Sequence, residues 1–104
     1  MILVTTEIVP GKKLVQTLGI VRGNAVRSRH LGMDILALFR NIVGGEIHEY
    51  VKLSGEAREQ ALDRMREEAE QLGANAVVGI RFGTNMIMSG AAELLAYGTA
   101  VIIE

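Results

Sequence analysis

A single helical stripe from Glu46 to Gly73 constrains this chain more than any other feature. Ile47, Tyr50, Val51, Ser54, Ala57, Ala61, Met65, Ala69 and Leu72 recur at spacings of three and four and stay in phase. The opposite side of that helix carries Glu56, Arg58, Glu59, Asp63, Arg64, Glu67 and Glu70, with Arg66 and Glu70 at supporting i,i+4 spacing. Gly73 reads as the residue that closes the helix. Unbroken, the stripe holds 28 of 104 residues, a rod of roughly 42 Å. A compact domain of this length has a radius of gyration of only about 13 Å. Such a helix either breaks at Ser54-Gly55, where the serine caps a new start, or overhangs its own domain and packs on another subunit. The constant phase across Gly55 favours continuity.

Strand patterns flank the helix. Met1-Ile2-Leu3-Val4 opens a short strand over about residues 2–5, and Pro10-Gly11 is a turn signal. From Leu14 to Arg27 a long strand would place Leu14, Leu18, Ile20 and Val26 on one face. Its other face would carry the small, flat set Val15, Thr17, Gly19, Val21, Gly23 and Ala25. Ile35, Leu36, Leu38, Phe39, Ile42 and Val43 then predict a first helix, capped by Asp34 and stopped by Gly44-Gly45. After the long helix, Ala76 to Met88 alternates with Ala76, Val78, Ile80, Phe82, Met86 and Met88 on one side. Ser89-Gly90 reads as a hairpin turn. Ala91 to Ile103 is apolar on both faces, the mark of a central strand.

These elements predict an α+β fold: a two-layer α/β sandwich over residues 1–104, one domain without repeat or linker. The last strand lies between the long strand and its own hairpin partner, with the helices on one face. The second face would expose Val15, Val21, Val77, Ile87, Leu95, Tyr97, Val101 and Ile103. An apolar face of that size predicts a homo-oligomer.

Composition removes several functional classes. Eleven Lys+Arg against twelve Asp+Glu give a net charge of -1, without the basic surplus of a sequence-independent nucleic-acid binder. No cysteine is present, so disulfides, thiolate metal sites and cysteine nucleophiles are excluded. No apolar run approaches the roughly 20 residues of a membrane-spanning helix, and the N-terminus does not read as a signal peptide. A cytoplasmic location is the expectation.

Several stretches carry a family resemblance in order along the whole chain. They include Thr5-Thr6, Pro10-Gly11, Val26-Arg27-Ser28-Arg29, Val43-Gly44-Gly45-Glu46, Leu72-Gly73-Ala74-Asn75-Ala76-Val77 and Tyr97-Gly98-Thr99-Ala100-Val101. Together they resemble the YbjQ-like family of small bacterial and archaeal proteins. The resemblance implies a dodecin-subunit-like β-α-β-β core, assembled as a homo-oligomeric ring, a pentamer. It also brings a heavy-metal-binding label without an established biochemical function, so the cofactor it implies is a divalent metal ion.

Three chemistries compete for the site. Metal binding would draw on His30, Asp34, Glu46 and His48, converging from several subunits, because there are only two histidines and no H-x-x-x-H spacing. Anion binding would draw on Arg22, Arg27 and Arg29, brought close by a ring. Hydrolysis would need one of Thr5, Thr6, Ser28, Ser54 or Thr99 beside a base, or Asp34 and Glu46 as an acid/base pair. Helix capping explains those two carboxylates better, so a non-enzymatic protein is expected. Without a Trp to stack on it, a flavin is not expected. The reading is a small oligomeric domain carrying the family's heavy-metal-binding label. The alternative is a ring-shaped binding module for a small anionic or apolar ligand at subunit interfaces.

Overall fold

The alternation that begins at Leu14 forms one long strand, and the strands after the helix match it in length. The computed structural model describes residues 1–28, 46–88 and 91–104, with side chains described for 1–26, 55–86 and 91–104. The elements are β1 (Ile2–Leu3), β2 (Leu14–Ser28), α1 (Glu46–Gln71), β3 (Ala76–Met88) and β4 (Ala91–Ile103). They form a mixed sheet in the order β1-β3-β4-β2. β4 is antiparallel to β2 and β3, and β1 is parallel to β3. The strand that is apolar on both faces is therefore central, and β2 and β3 run parallel on either side of it. The result is a small α+β fold, a four-stranded sheet with α1 on one face. The helical pattern at 35–43, its Asp34 cap, the Gly44-Gly45 stop and the Ser89-Gly90 turn lie outside the described residues.

α1 runs unbroken through Ser54-Gly55. It ends in a Schellman motif: Ala74 N–H donates to the Ala69 carbonyl (3.1 Å), Gly73 N–H donates to the Glu70 carbonyl (3.0 Å), and Gly73 has φ +85°. The packed side of the helix is a run at every fourth residue, Ala57, Ala61, Met65 and Ala69, all buried against Val21, Ala25, Ala96 and Ala100. Alanines let the helix backbone approach the sheet. At Gly23 the approach is so close that a Cβ would collide with the Ala61 carbonyl oxygen and the Met65 amide nitrogen. Met65 fills the remaining space, and burying a side chain of that size stabilises by about 1.5–3 kcal/mol. Leu72, the last position of the stripe, is exposed.

Among the side chains described, Ala57 is the first of α1 in that cluster, and the helix backbone begins eleven residues earlier, at Glu46. Those eleven residues extend about 16 Å. The radius of gyration is 17.0 Å, against about 13 Å for a compact chain of this length.

Two register shifts decide which side chains lie under the helix. In β3 the shift falls between Val78 and Arg81, where Gly79 adopts φ +63°. An extra residue inverts the alternation. Val77 and Ile80 thus join the helix-side core, whereas Ala76 and Val78 belong to a second cluster. The expected single face of Ala76, Val78, Ile80, Phe82, Met86 and Met88 does not exist. In β2 a shift between Thr17 and Gly19 sends Leu18 against the helix-side core, while Ile20 stays exposed on the far face. The expected grouping of Leu18 with Ile20 and Val26 is split for the same reason. Val21 and Val77, expected on an uncovered face, are buried under α1.

Part of the far face is closed by the chain's own N-terminal segment. Val4 and Val9 pack on Ala76, Val78, Val101 and Ile103. Backbone bonds tie the segment along β3, from Val4 N–H to the Val77 carbonyl (3.0 Å) and from Gly79 N–H to the Thr6 carbonyl (2.8 Å). The Pro10-Gly11 turn closes with a bond from Lys12 N–H to the Val9 carbonyl (3.0 Å). Asn75 then works as a side-chain strand residue. Its Nδ2 donates to the Ile103 carbonyl and its Oδ1 accepts from Ile103 N–H, both at 2.8 Å.

Candidate functional site

The face turned away from α1 can be followed row by row, because residues paired across antiparallel strands point the same way. Across β2, β4 and β3 the rows are Thr17–Val101–Ala76, Ile20–Thr99–Val78, Arg22–Tyr97–Arg81, Asn24–Leu95–Gly83 and Val26–Glu93–Asn85. The first two rows border the N-terminal segment. The third touches it through Arg81, and the last two lie beyond it. Ile20 is 76% exposed, Val26 50% and Tyr97 41%. Asn24 Nδ2 donates to Glu93 Oε2 at 3.4 Å, one weak polar link on this surface.

Where the N-terminal segment meets the rows there is a concavity of about 370 Å³. Leu14, Thr17, Val78, Gly79, Thr99 and Val101 line it together with Glu7 and Arg81. The bulge creates part of this space: nothing lies within 4 Å of where a Cβ on Gly79 would stand. Arg81 is held in place. Its Nη1 donates to the Thr5 carbonyl and to the Ile80 carbonyl, each at 2.8 Å. A guanidinium has five N–H donors in one plane, so pinning Nη1 fixes the plane and leaves the Nε/Nη2 edge to receive an oxyanion side-on.

The structure separates the arginines that the sequence grouped. Arg22 stands on the open face beside Tyr97, while Arg27 pairs with Ala92, a register position of the opposite face, and Arg29 is outside the described residues. Odd spacing along a strand forbids a joint role for Arg22 and Arg27 on one face. Arg81 takes the place of Arg27 as the second cation of the Arg22–Tyr97–Arg81 row. The hairpin signal places Arg81 within a residue of Tyr97, but the bulge that completes the register leaves no clear mark in the pattern. Thr99 does reach the concavity. Thr6 Oγ1 instead donates to the Ile8 carbonyl at 2.6 Å, an ST-type local bond.

For metal binding, His30 and Asp34 lie outside the described residues. Glu46 and His48 sit in the first turn of α1, with their side chains not described. Among the described residues no group of three or more His, Cys, Asp or Glu is assembled. With no thiolate in the chain, the described donors do not fit a soft heavy-metal centre. No described helix is long and apolar enough to cross a membrane.

Comparison with known proteins gives a consistent result. A family model described as "Putative heavy-metal-binding", of the YbjQ type, matches residues 1–104. The chain is 54% identical over 103 residues to a UPF0145 protein of Methanosarcina acetivorans, covering 99% of this chain and 97% of that one. It is 57% identical over 104 residues to a UPF0145 protein of Thermotoga maritima, covering 100% and 98%. Among solved structures it is similar to a protein of unknown function of the DUF74 family from Pediococcus pentosaceus. That match has a TM-score of 0.59 at 16% identity and covers 100% of this chain and 98% of the other. It speaks to the fold alone.

Proposed function

We propose a function from one premise: this chain belongs to the YbjQ-like family, whose relatives carry the UPF0145 name. It is a non-enzymatic, self-assembling binding module. Copies associate through the sheet face turned from α1. A small ligand with anionic or apolar character is held in the concavity between them. Following the family resemblance, the assembly is a dodecin-subunit-like ring of five.

The observation that carries this reading is the exposed face itself. Ile20, Val26 and Tyr97 stand on a regular sheet surface that the N-terminal segment stops short of. Apolar side chains grouped on one surface point to a partner or a ligand. The elongated shape supports it, since 17.0 Å exceeds the size of a compact domain by about a third. β2 also has an outer edge with no neighbour among the described residues, and such edges invite pairing unless something protects them.

Native mass spectrometry of the untagged protein reports stoichiometry and retained ligand together. The expected result is a multiple of the 11.3 kDa chain carrying a small organic mass. A monomer contradicts the assembly. A mass increment of one transition-metal ion per ring, removed by a chelator, would favour the heavy-metal label instead.

A further inference from the structure

We infer that the concavity binds a small zwitterion with an aliphatic body, of the α-amino-acid class, carboxylate on Arg81 and ammonium on Glu7. The inference rests on the binding-module reading for the location of the site and adds the ligand's chemistry. Glu7 and Arg81 line the same concavity, yet no ion pair joins them. Opposite charges on one small site that do not neutralise each other are complementary to a ligand carrying both signs.

The geometry assigns the two ends differently. Arg81 is pinned through Nη1 by two carbonyls, so its free edge is preorganised for the planar two-oxygen acceptor that a carboxylate presents. Glu7 belongs to the N-terminal segment and is exposed, with no described hydrogen-bond partner for its carboxylate. It offers acceptor oxygens alone, which an ammonium satisfies and a second anion does not. Of the apolar lining, Leu14 is 43% exposed and is the surface open to an aliphatic side chain, while Val78 and Val101, at 6% and 1%, add almost none. The volume of about 370 Å³ falls at the small end of ligand sites, about 300–1,000 Å³. That suits one amino acid better than a nucleotide.

The test is a titration of the full chain with L-leucine, followed by amide chemical shifts in nuclear magnetic resonance and by calorimetry. 4-Methylpentanoate (carboxylate alone) and isoamylamine (amine alone) serve as half-ligands. Leucine is expected to saturate and to shift Thr17, Gly79, Arg81 and Thr99, with each half-ligand at least tenfold weaker. Glu7→Gln is an exposed change that leaves the fold alone. It should weaken leucine at least fivefold while leaving 4-methylpentanoate unchanged or tighter. Arg81→Gln should remove binding of both. Because it also frees the Thr5 carbonyl, Glu7→Gln is the variant that decides. No saturable leucine binding, half-ligands as tight as leucine, or shifts confined to other residues would overturn the inference. Leucine binding by a monomer would remove the assembly and leave this site standing, and an assembled protein that ignores leucine would do the reverse.

Discussion

Under α1 the sheet presents Val21, Gly23, Ala25, Ala96 and Ala100, small residues closed over by Ala57, Ala61, Met65 and Ala69. On the reverse, the same strands present Ile20, Arg22, Tyr97 and Arg81, larger residues left exposed. The small residues lie directly beneath the helix, with Val77 and Ile80 beside them in the same core. The closed face is small because a helix backbone rests directly on it. The open face is large because nothing within the described chain limits it there. Small residues in a core need no further explanation than close approach. Ile20 at 76% exposure, in register with other side chains of a regular sheet, has no role inside the described fold. The contrast divides what folds the chain from what the folded chain does.

Substitutions should break that contrast unequally. The largest loss is expected on the closed face. Gly23→Ala drives a Cβ into helix backbone that cannot rotate away, costing about 3 kcal/mol in urea unfolding. Met65→Ala, at 0% exposure, opens a cavity under the helix and should cost about 3 kcal/mol as well, with the loss growing as the cavity fails to collapse. Next comes Asn75→Ala. It leaves both the N–H and the carbonyl of Ile103 without their partners, about 2 kcal/mol by the usual cost of an unmade bond. Gly79→Ala should cost about 1–2 kcal/mol, because an L-residue is forced into left-handed backbone. The smallest effect belongs to the open face. Gly83→Ala, with open space around it, should stay within about 0.5 kcal/mol. A Gly83→Ala loss equal to that of Gly23→Ala would show that the open face is not open.

Much of this fold is legible in the residues, and the misses have two causes. The central place of β4 follows from its two-sided apolar pattern, and the continuity of α1 follows from a stripe that keeps phase across Gly55. Gly73 was readable as the helix stop for the same kind of local reason. Side-chain facing was less legible because period-two counting assumes an unbroken strand. One inserted residue near Gly79 and another near Leu18 exchange the faces downstream, and nothing in the composition of either stretch announces which residue is extra. Nearness along the chain groups Arg22 with Arg27 and Arg29, although odd spacing already parts Arg22 from Arg27, and the shift near Gly79 is what sets Arg81 in register with Tyr97. The N-terminal cover was invisible because Val4 and Val9 belong to no periodic element. It reduces the uncovered face to the rows from Ile20 to Val26 and, by stopping short, makes the concavity.

The central claim is that the open face is where copies of this chain meet. Sedimentation velocity on the wild type and on Ile20→Lys, at the same micromolar concentration, tests it most directly. A lysine on that surface should leave thermal unfolding of the subunit nearly unchanged while dispersing the assembly to single 11.3 kDa chains. The wild type should sediment as a discrete oligomer. A wild type that sediments as a stable monomer, or an Ile20→Lys variant that remains fully assembled, would contradict the account.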